Sequence, residues 1–362
     1  MNEALSNLAD DFFKNSLDSS PTSAIMRGYK EYFDQIEELT ETRFDQNLKD
    51  LDKFEKRLKE INFDNLSNKE KVTYGMLEYA FGSNKDSLLD KSWEFGAGVS
   101  GFTGYLIDYN QQMFIPDLES ADLLLKRLEL YNQFFNQVSL VQKKGLNENR
   151  VATERNLLRT IDQIESYLKT SLEEDPLLLV NFSPEVSEQD VSSWKNKAKL
   201  IIESHVRPRV NSYLEQLKSE HLPKGRSDTN PGIMWIDGGD DIYLRSLRKF
   251  TGNKDITVKE VHETGLSEIK RLKKEFFEIG KNVFADVTTP EEVIHKMQTE
   301  PSMRFESKEQ MLQMAEDIIK RAYEPLSDWF TVFPKAPCNV LPVPEESEKH
   351  APPAYYYSPL PD

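Results

Sequence analysis

The stretch TVKEVHETGLSEIKRLKKEFFEIGKNV, residues 257–283, decides the fold class. It opens on Thr257 with Glu260 three residues later. In that pairing the threonine oxygen accepts from the backbone N–H at Glu260, and the glutamate reaches back to the start of the helix. Apolar residues follow at Val258, Val261, Ile269, Leu272, Phe276 and Ile279, a helical spacing that predicts one buried stripe. Between them lie alternating acids and bases, the composition of a solvated helix face.

The same grammar recurs outward along the chain. Ser67-Asn68-Lys69-Glu70 and Ser307-Lys308-Glu309-Gln310 read as further capping boxes, and Thr289-Pro290-Glu291 as an N-cap followed by proline at the first helical position. Leu124, Leu128, Tyr131, Phe135 and Val138 form one stripe, and Leu157, Ile161, Ile164 and Leu168 another. The pattern predicts helices near 3–17, 22–38, 41–61, 68–82, 119–143, 149–171, 188–219, 240–251, 258–283, 290–298 and 308–330. Pro208 and Pro325 are expected to kink or split the helices that hold them. No fixed-period repeat is visible, which argues against a solenoid.

Three stretches break the helical pattern. Residues 91–118 are rich in glycine and aromatics, and residues 172–187 and 220–237 read as linkers. The C-terminal part, 334–362, is dense in proline and cannot be helix. Within it, Asn339-Val340-Leu341 and Ala354-Tyr355-Tyr356-Tyr357 read as short proline-bounded strands. The expected fold is therefore mainly α, a large irregular multi-helix assembly with a few short β-strands near the C-terminus. Its expected organisation is a helical region over 1–333, with subdivision points near 172–187 and 220–237. A Pro-rich extended segment over 334–362 follows, and the natural protein is expected to continue beyond it, because a lone short strand needs partners.

Composition narrows function. The chain has 362 residues with 46 Lys+Arg against 62 Asp+Glu, a formal net charge of −16. That balance argues against nucleic-acid binding, which needs clustered bases. Twenty Phe, 14 Tyr and four Trp can build a large core. One cysteine, Cys338, excludes an internal disulfide and a multi-Cys metal site. Uninterrupted apolar runs such as Leu177–Val180 fall far short of the ~20 residues that span a bilayer, so no transmembrane segment is expected.

Local motifs are incomplete. Gly96-Ala97-Gly98-Val99-Ser100-Gly101 matches the dinucleotide fingerprint in letters, but no buried strand precedes it and no helix follows. A loop is the better reading. His262-Glu263-Thr264-Gly265 lacks the second histidine of a zincin helix, since Leu266 stands in its place. No two of His205, His221, His295 and His350 lie at metal-ligand spacing. Asp237-Gly238-Gly239-Asp240-Asp241 reads as a turn and helix start, not a calcium loop. Cys338 has no neighbouring base or cation to activate it. No nucleophile elbow and no phosphate-binding loop occurs.

Four stretches together resemble a known group. They are Ser20-Pro21-Thr22-Ser23-Ala24 leading to Gly28, the entry from Leu66-Ser67 to Tyr74, and Tyr243–Thr251 followed by the 257–269 helix. The fourth and most specific is Pro334–Asp362, with Val343-Pro344 and then Ala351-Pro352-Pro353-Ala354-Tyr355-Tyr356. In order and spacing these resemble the bacterial family catalogued as domain of unknown function 885. That family is similar to the helical zinc metallopeptidases of the Taq-type carboxypeptidase and angiotensin-converting-enzyme kind. The resemblance implies a mostly helical body with a substrate groove and a small sheet along it. It also implies a His-Glu…Gly-His helix late in the chain, which is absent from residues 1–362.

No catalytic, cofactor or metal residue is therefore assigned, and no cofactor is expected in this chain. Zinc is expected in the full-length parent, with a peptide as its substrate. The chain reads as the N-terminal helical part of a peptidase-like hydrolase, inactive alone. Tyr355, Tyr356 and Tyr357 are its substrate-groove candidates, because alternate residues of a strand face one side. A homodimer through exposed apolar surface is a further expectation. So is a place in the bacterial cell envelope, as a periplasmic protein or lipoprotein, with the cytoplasm as the alternative. The competing reading is a non-catalytic helical module that binds a peptide or protein.

Overall fold

The computed structural model describes residues 2–96, 110, 113–343 and 354–356. The mainly α expectation holds. The chain divides into two compact units, Met1–Ile256 and Thr257–Leu360.

The first unit contains α1 (Glu3–Ser19), α2 (Pro21–Met26), α3 (Glu41–Lys59), α4 (Asn68–Asp90), β1 (Phe114–Ile115), α5 (Leu118–Asn147) and α6 (Glu154–Lys169). β2 (Asn181–Phe182), α7 (Glu188–Ile201), α8 (Arg207–Gln216) and α9 (Gly239–Thr251) complete it. Local caps start these helices where the sequence puts them. Ser67 and Glu70 form the full reciprocal box at α4, and Thr153 and Ser187 cap α6 and α7.

Two cores result. The larger is built on α5, whose Leu124, Leu128, Tyr131, Phe135 and Val138 are all buried. Leu157, Ile161 and Ile164 of α6 close on it, with Trp194, Val210 and Tyr213 from α7 and α8. The smaller joins Leu5 and Leu8 of α1 to Leu51, Phe54 and Leu58 of α3 and Leu77 and Phe81 of α4. Each such large side chain contributes about 1.5–3 kcal/mol by leaving water.

Several boundaries differ from expectation. The helix expected over 22–38 stops at Met26, and Gly28 turns the chain at φ +85°. Contacts distant in sequence then hold the following stretch out of helix. Glu37 accepts from the Thr22 N–H at 2.9 Å, and Gln137 of α5 accepts from the Leu39 N–H at 2.9 Å. α4 runs past Gly82 to Asp90, where Lys91 at φ 47° ends it. The helix expected over 188–219 widens into a π-turn at Ile202–Val206, with the Arg207 N–H donating to the Ile202 carbonyl five residues back. This widening accommodates Pro208, which lacks an N–H for the regular ladder.

The expected strands near the C-terminus are corrected. Residues 339–341 and 354–356 belong to no strand, whereas β1 and β2 lie mid-chain and pair in parallel, Phe114 opposite Asn181 and Ile115 opposite Phe182. A local β-pattern makes a strand only when another strand arrives beside it.

The second unit contains α10 (Val258–Val283), α11 (Pro290–Thr299), α12 (Lys308–Tyr323) and α13 (Leu326–Trp329). Thr257 and Glu260 form the predicted box, and Thr289, the predicted N-cap before Pro290, also forms a box with Glu292. Gly280 lets α11 come close: a Cβ there would lie 2.6 Å from Val293 Cγ2. Pro325 separates α12 from α13, as expected. The apolar stripe of α10 differs from expectation, for Ile269, Leu272, Ile279 and Val283 are exposed. Met311, Met314 and Ile318 of α12 are exposed too.

Candidate functional site

A connected polar cluster of the first unit forms where α4 ends. After Lys91, residues Ser92–Glu94 make one tight 3-10 turn laid against α5. Gly145 of α5 permits the approach, since a Cβ there would lie 2.3 Å from the Glu94 carbonyl oxygen. The turn stacks Trp93 on Phe44 of α3, with ring centroids 3.7 Å apart and planes 15° apart. It also drives the Glu94 side chain inside.

A buried carboxylate needs a partner. Arg150 supplies it, with Nε 2.7 Å from Glu94 Oε2. The same guanidinium donates to the Asp237 carbonyl at 2.8 Å and to the Asp90 carbonyl at 2.6 Å. Asp90 pairs with Arg245 of α9, and Asn149 donates to the Asp237 carboxylate at 3.0 Å. The cluster thus ties the end of α4, the end of α5 and the turn before α9. Beside it is a cavity of about 10 Å³ lined by Glu94, Phe95, Gln142 and His221, among others. Gln142 accepts from the buried Tyr213 hydroxyl at 2.8 Å and donates to the Gly96 carbonyl at 3.4 Å. Burial pushes the Tyr213 hydroxyl well above the ordinary phenol range, so it stays a donor.

The chemistry of this cluster is anchoring. A cavity of that size admits nothing larger than a water molecule. The Glu94 carboxylate is held by a fixed cation and does not open onto a groove. Beside it, Gln142 holds the carbonyl of Gly96, the first residue of the glycine-rich segment. Residues 97–101 of that segment lie outside the described residues.

Two further buried guanidinium sites do similar work. Asp175 is fully buried and takes Arg207 Nε at 3.0 Å and Nη2 at 2.8 Å on one oxygen, while its other oxygen accepts from the Leu177 N–H at 3.0 Å. Arg127 of α5 is fully buried and donates to the Gln35 carbonyl and the Thr22 hydroxyl. Of these acids and bases only Asp237 was singled out from sequence, in the turn before α9. Arg127 did carry a signal, because it falls three residues after Leu124 and four before Tyr131, on the buried stripe itself.

The residues singled out from sequence are scattered. Tyr355 and Tyr356 lie in an exposed non-helical segment, and Tyr357 falls outside the described residues. His262 and Glu263 are exposed on α10, where Glu263 sits 3.7 Å from Lys259 one turn back. Gly238 at φ +74° starts α9, with Asp240 and Asp241 in its first turn, as the turn reading expects. Cys338 is exposed. Among the described residues, no three His, Cys, Asp or Glu side chains are grouped to hold a metal ion. No helix among the described residues is long and apolar enough to cross a membrane.

The chain belongs to the family described as "Bacterial protein of unknown function (DUF885)", which matches residues 21–362. A search of curated proteins found no match. Among solved structures, the chain is similar to a protein from Colwellia psychrerythraea described as a "putative lipoprotein", with a TM-score of 0.83 at 17% identity. The match covers 98% of this chain and 65% of that protein, so the chain spans about two thirds of its length. At that identity the likeness is one of fold.

Proposed function

We propose that this chain is the N-terminal helical part of a zinc-dependent, peptidase-like hydrolase of the bacterial cell envelope. The observation that carries the reading is the ordered set of motifs ending in Pro334–Asp362, which lies inside the family match to residues 21–362. Two facts support it. The solved neighbour contains chain beyond the 65% matched here, room for a metal-bearing helix. That neighbour is also described as a lipoprotein, which favours the envelope.

In this reading zinc, when bound, activates a water for attack on a peptide bond, and its ligands lie outside residues 1–362. This chain contributes rigid helical walls, and Tyr355, Tyr356 and Tyr357 contribute to one side of the peptide groove. The exposed apolar residues of α10 and α12 are the surface that the remainder of the protein, or a second copy, would cover.

The test uses the product of the natural gene. Its intact mass and zinc content are measured, and hydrolysis of unstructured peptides is followed with and without a chelator. Near-stoichiometric zinc with chelator-sensitive cleavage is the expected result. A natural product ending at Asp362, free of zinc and inactive, would refute the peptidase reading and leave the non-catalytic binding module.

A further inference from the structure

An open groove of about 450 Å³ lies in the first unit between β2 and one face of α7. Its lining includes Phe182, Val186 and Val191, which are partly buried, and Glu188, Lys195 and Lys199 along the helix. The spacing 188, 191, 195, 199 is one stripe of α7. Ser183, Ser192 and Asn196 complete the lining, so apolar and polar groups share it, with an acid at the start of the α7 stripe and two lysines toward its end.

β2 gives this groove a second property. The Asn181 N–H donates to the Met113 carbonyl at 3.0 Å, and the Ser183 N–H to the Ile115 carbonyl at 2.8 Å. Along a strand, backbone groups alternate sides. Phe182 therefore turns its N–H and C=O away from β1, and neither has a backbone partner among the described residues. An open strand edge is a template for another strand.

Charge selects the occupant. Lys199 is 3.4 Å from Glu173 and so already answered, while Lys195 has no ion-pair partner among the described residues. The chain as a whole carries −16. An unanswered lysine beside Phe182, Val186 and Val191 in this groove, on so acidic a protein, is complementary to a single carboxylate. Glu188 at the other end opposes a uniformly acidic ligand.

We propose that this groove binds an extended segment of another polypeptide. The segment adds to the outer edge of β2 through the Phe182 N–H and C=O. It lays apolar side chains on Phe182 and Val191 and places one acidic side chain at Lys195. This mode is strand addition, in which main-chain bonds give affinity and side-chain pockets give selectivity. The proposal stands apart from the peptidase reading, because the groove belongs to residues 181–199 and needs no metal.

The test titrates the 362-residue chain with the peptide Ac-Val-Thr-Val-Glu-Val-amide. Binding is followed by calorimetry and by hydrogen exchange of the 179–186 region. Saturable binding with slowed exchange at Phe182 is expected. Lys195→Glu should weaken it roughly 5- to 10-fold, and Lys195→Ala about 2- to 3-fold, with unchanged thermal unfolding. N-methylation of the central valine should weaken it as well, by removing a ladder donor. No saturation at millimolar peptide overturns the proposal. So does binding indifferent to Lys195→Glu, or indifferent to N-methylation.

Discussion

Replacing Gly145 by alanine pits two effects of opposite sign against each other. In mid-helix, alanine is favoured over glycine by about 1 kcal/mol. At Gly145, however, the new Cβ would stand 2.3 Å from the Glu94 carbonyl oxygen, 2.7 Å from Glu94 Cβ and 2.9 Å from the Glu94 carbonyl carbon. These are backbone and stem atoms, which no rotamer change can remove. The 92–94 turn must therefore shift by about 1 Å, an overpacking that costs about 1–3 kcal/mol, and the shift draws Glu94 away from Arg150. Disturbing a buried ion pair adds further cost. The net expectation is a loss of about 1–4 kcal/mol.

Gly75 in α4 is the control. Nothing lies within 4 Å of a Cβ there, so Gly75→Ala should stabilise by about 0.5–1 kcal/mol. Urea unfolding followed by circular dichroism measures both. Tryptophan fluorescence adds a local report, because the turn that moves carries Trp93 stacked on Phe44. If Gly145→Ala is as stable as the parent, the close packing of the turn on α5 is wrong. The opposite signs of the two substitutions are the signature sought.

Two further expectations concern charge. Asp175→Ala leaves Arg207 without its carboxylate and should cost about 3–5 kcal/mol, and the cycle with Arg207→Ala should show strong coupling between the sites in urea unfolding. Asp117 is held down to about 2 from its ordinary 3.8, first by the Lys30 ammonium and then by the Ser120 N–H it accepts at the start of α5. A folded value below the unfolded one gives stability that is complete above about pH 4 and lost as pH falls toward 2. Asp117→Asn should therefore flatten the stability–pH curve between about pH 4 and 2, and an unchanged slope would show that this carboxylate is not held.

The parts of this fold that sequence made legible are those whose physics is local. Capping boxes at Ser67 and Thr257 and the Thr289 N-cap before Pro290 need only four residues, and the α5 stripe needs only helical period. The parts it hid depend on residues far apart. α2 ends at Met26 because Glu37, Gln137 and Arg127 hold residues 29–39 in another path. Residues 354–356 have strand composition but no partner strand among the described residues, whereas β1 and β2 are two residues each and pair across 67 positions of sequence. Glu94 and Asp175 look in sequence like any solvated acid. Only the fold reveals that each is buried against an arginine.

The arginines explain how so irregular a helical protein keeps its connections fixed. A non-helical segment packed on a core leaves carbonyls that water cannot reach, and each needs a donor. Arginine is suited to this, being a donor-only group with five N–H bonds in a planar fork. Arg127 takes the Gln35 carbonyl, Arg150 those of Asp90 and Asp237, and Arg207 those of Thr170 and Ser171. Arg226 takes those of Val151, Asn230 and Gly232. Arg127 and Arg207 sit on helices and reach into connections, whereas Arg150 and Arg226 lie in connections and tie them to neighbouring backbone. Lysine carries its three donors on one nitrogen at the end of a flexible stem, so it cannot span two strands of chain at fixed separation as a planar fork does. The connections these arginines hold are therefore preorganised rather than adaptable. That property suits a chain whose proposed work is to present fixed walls to a peptide, with any chemistry placed elsewhere.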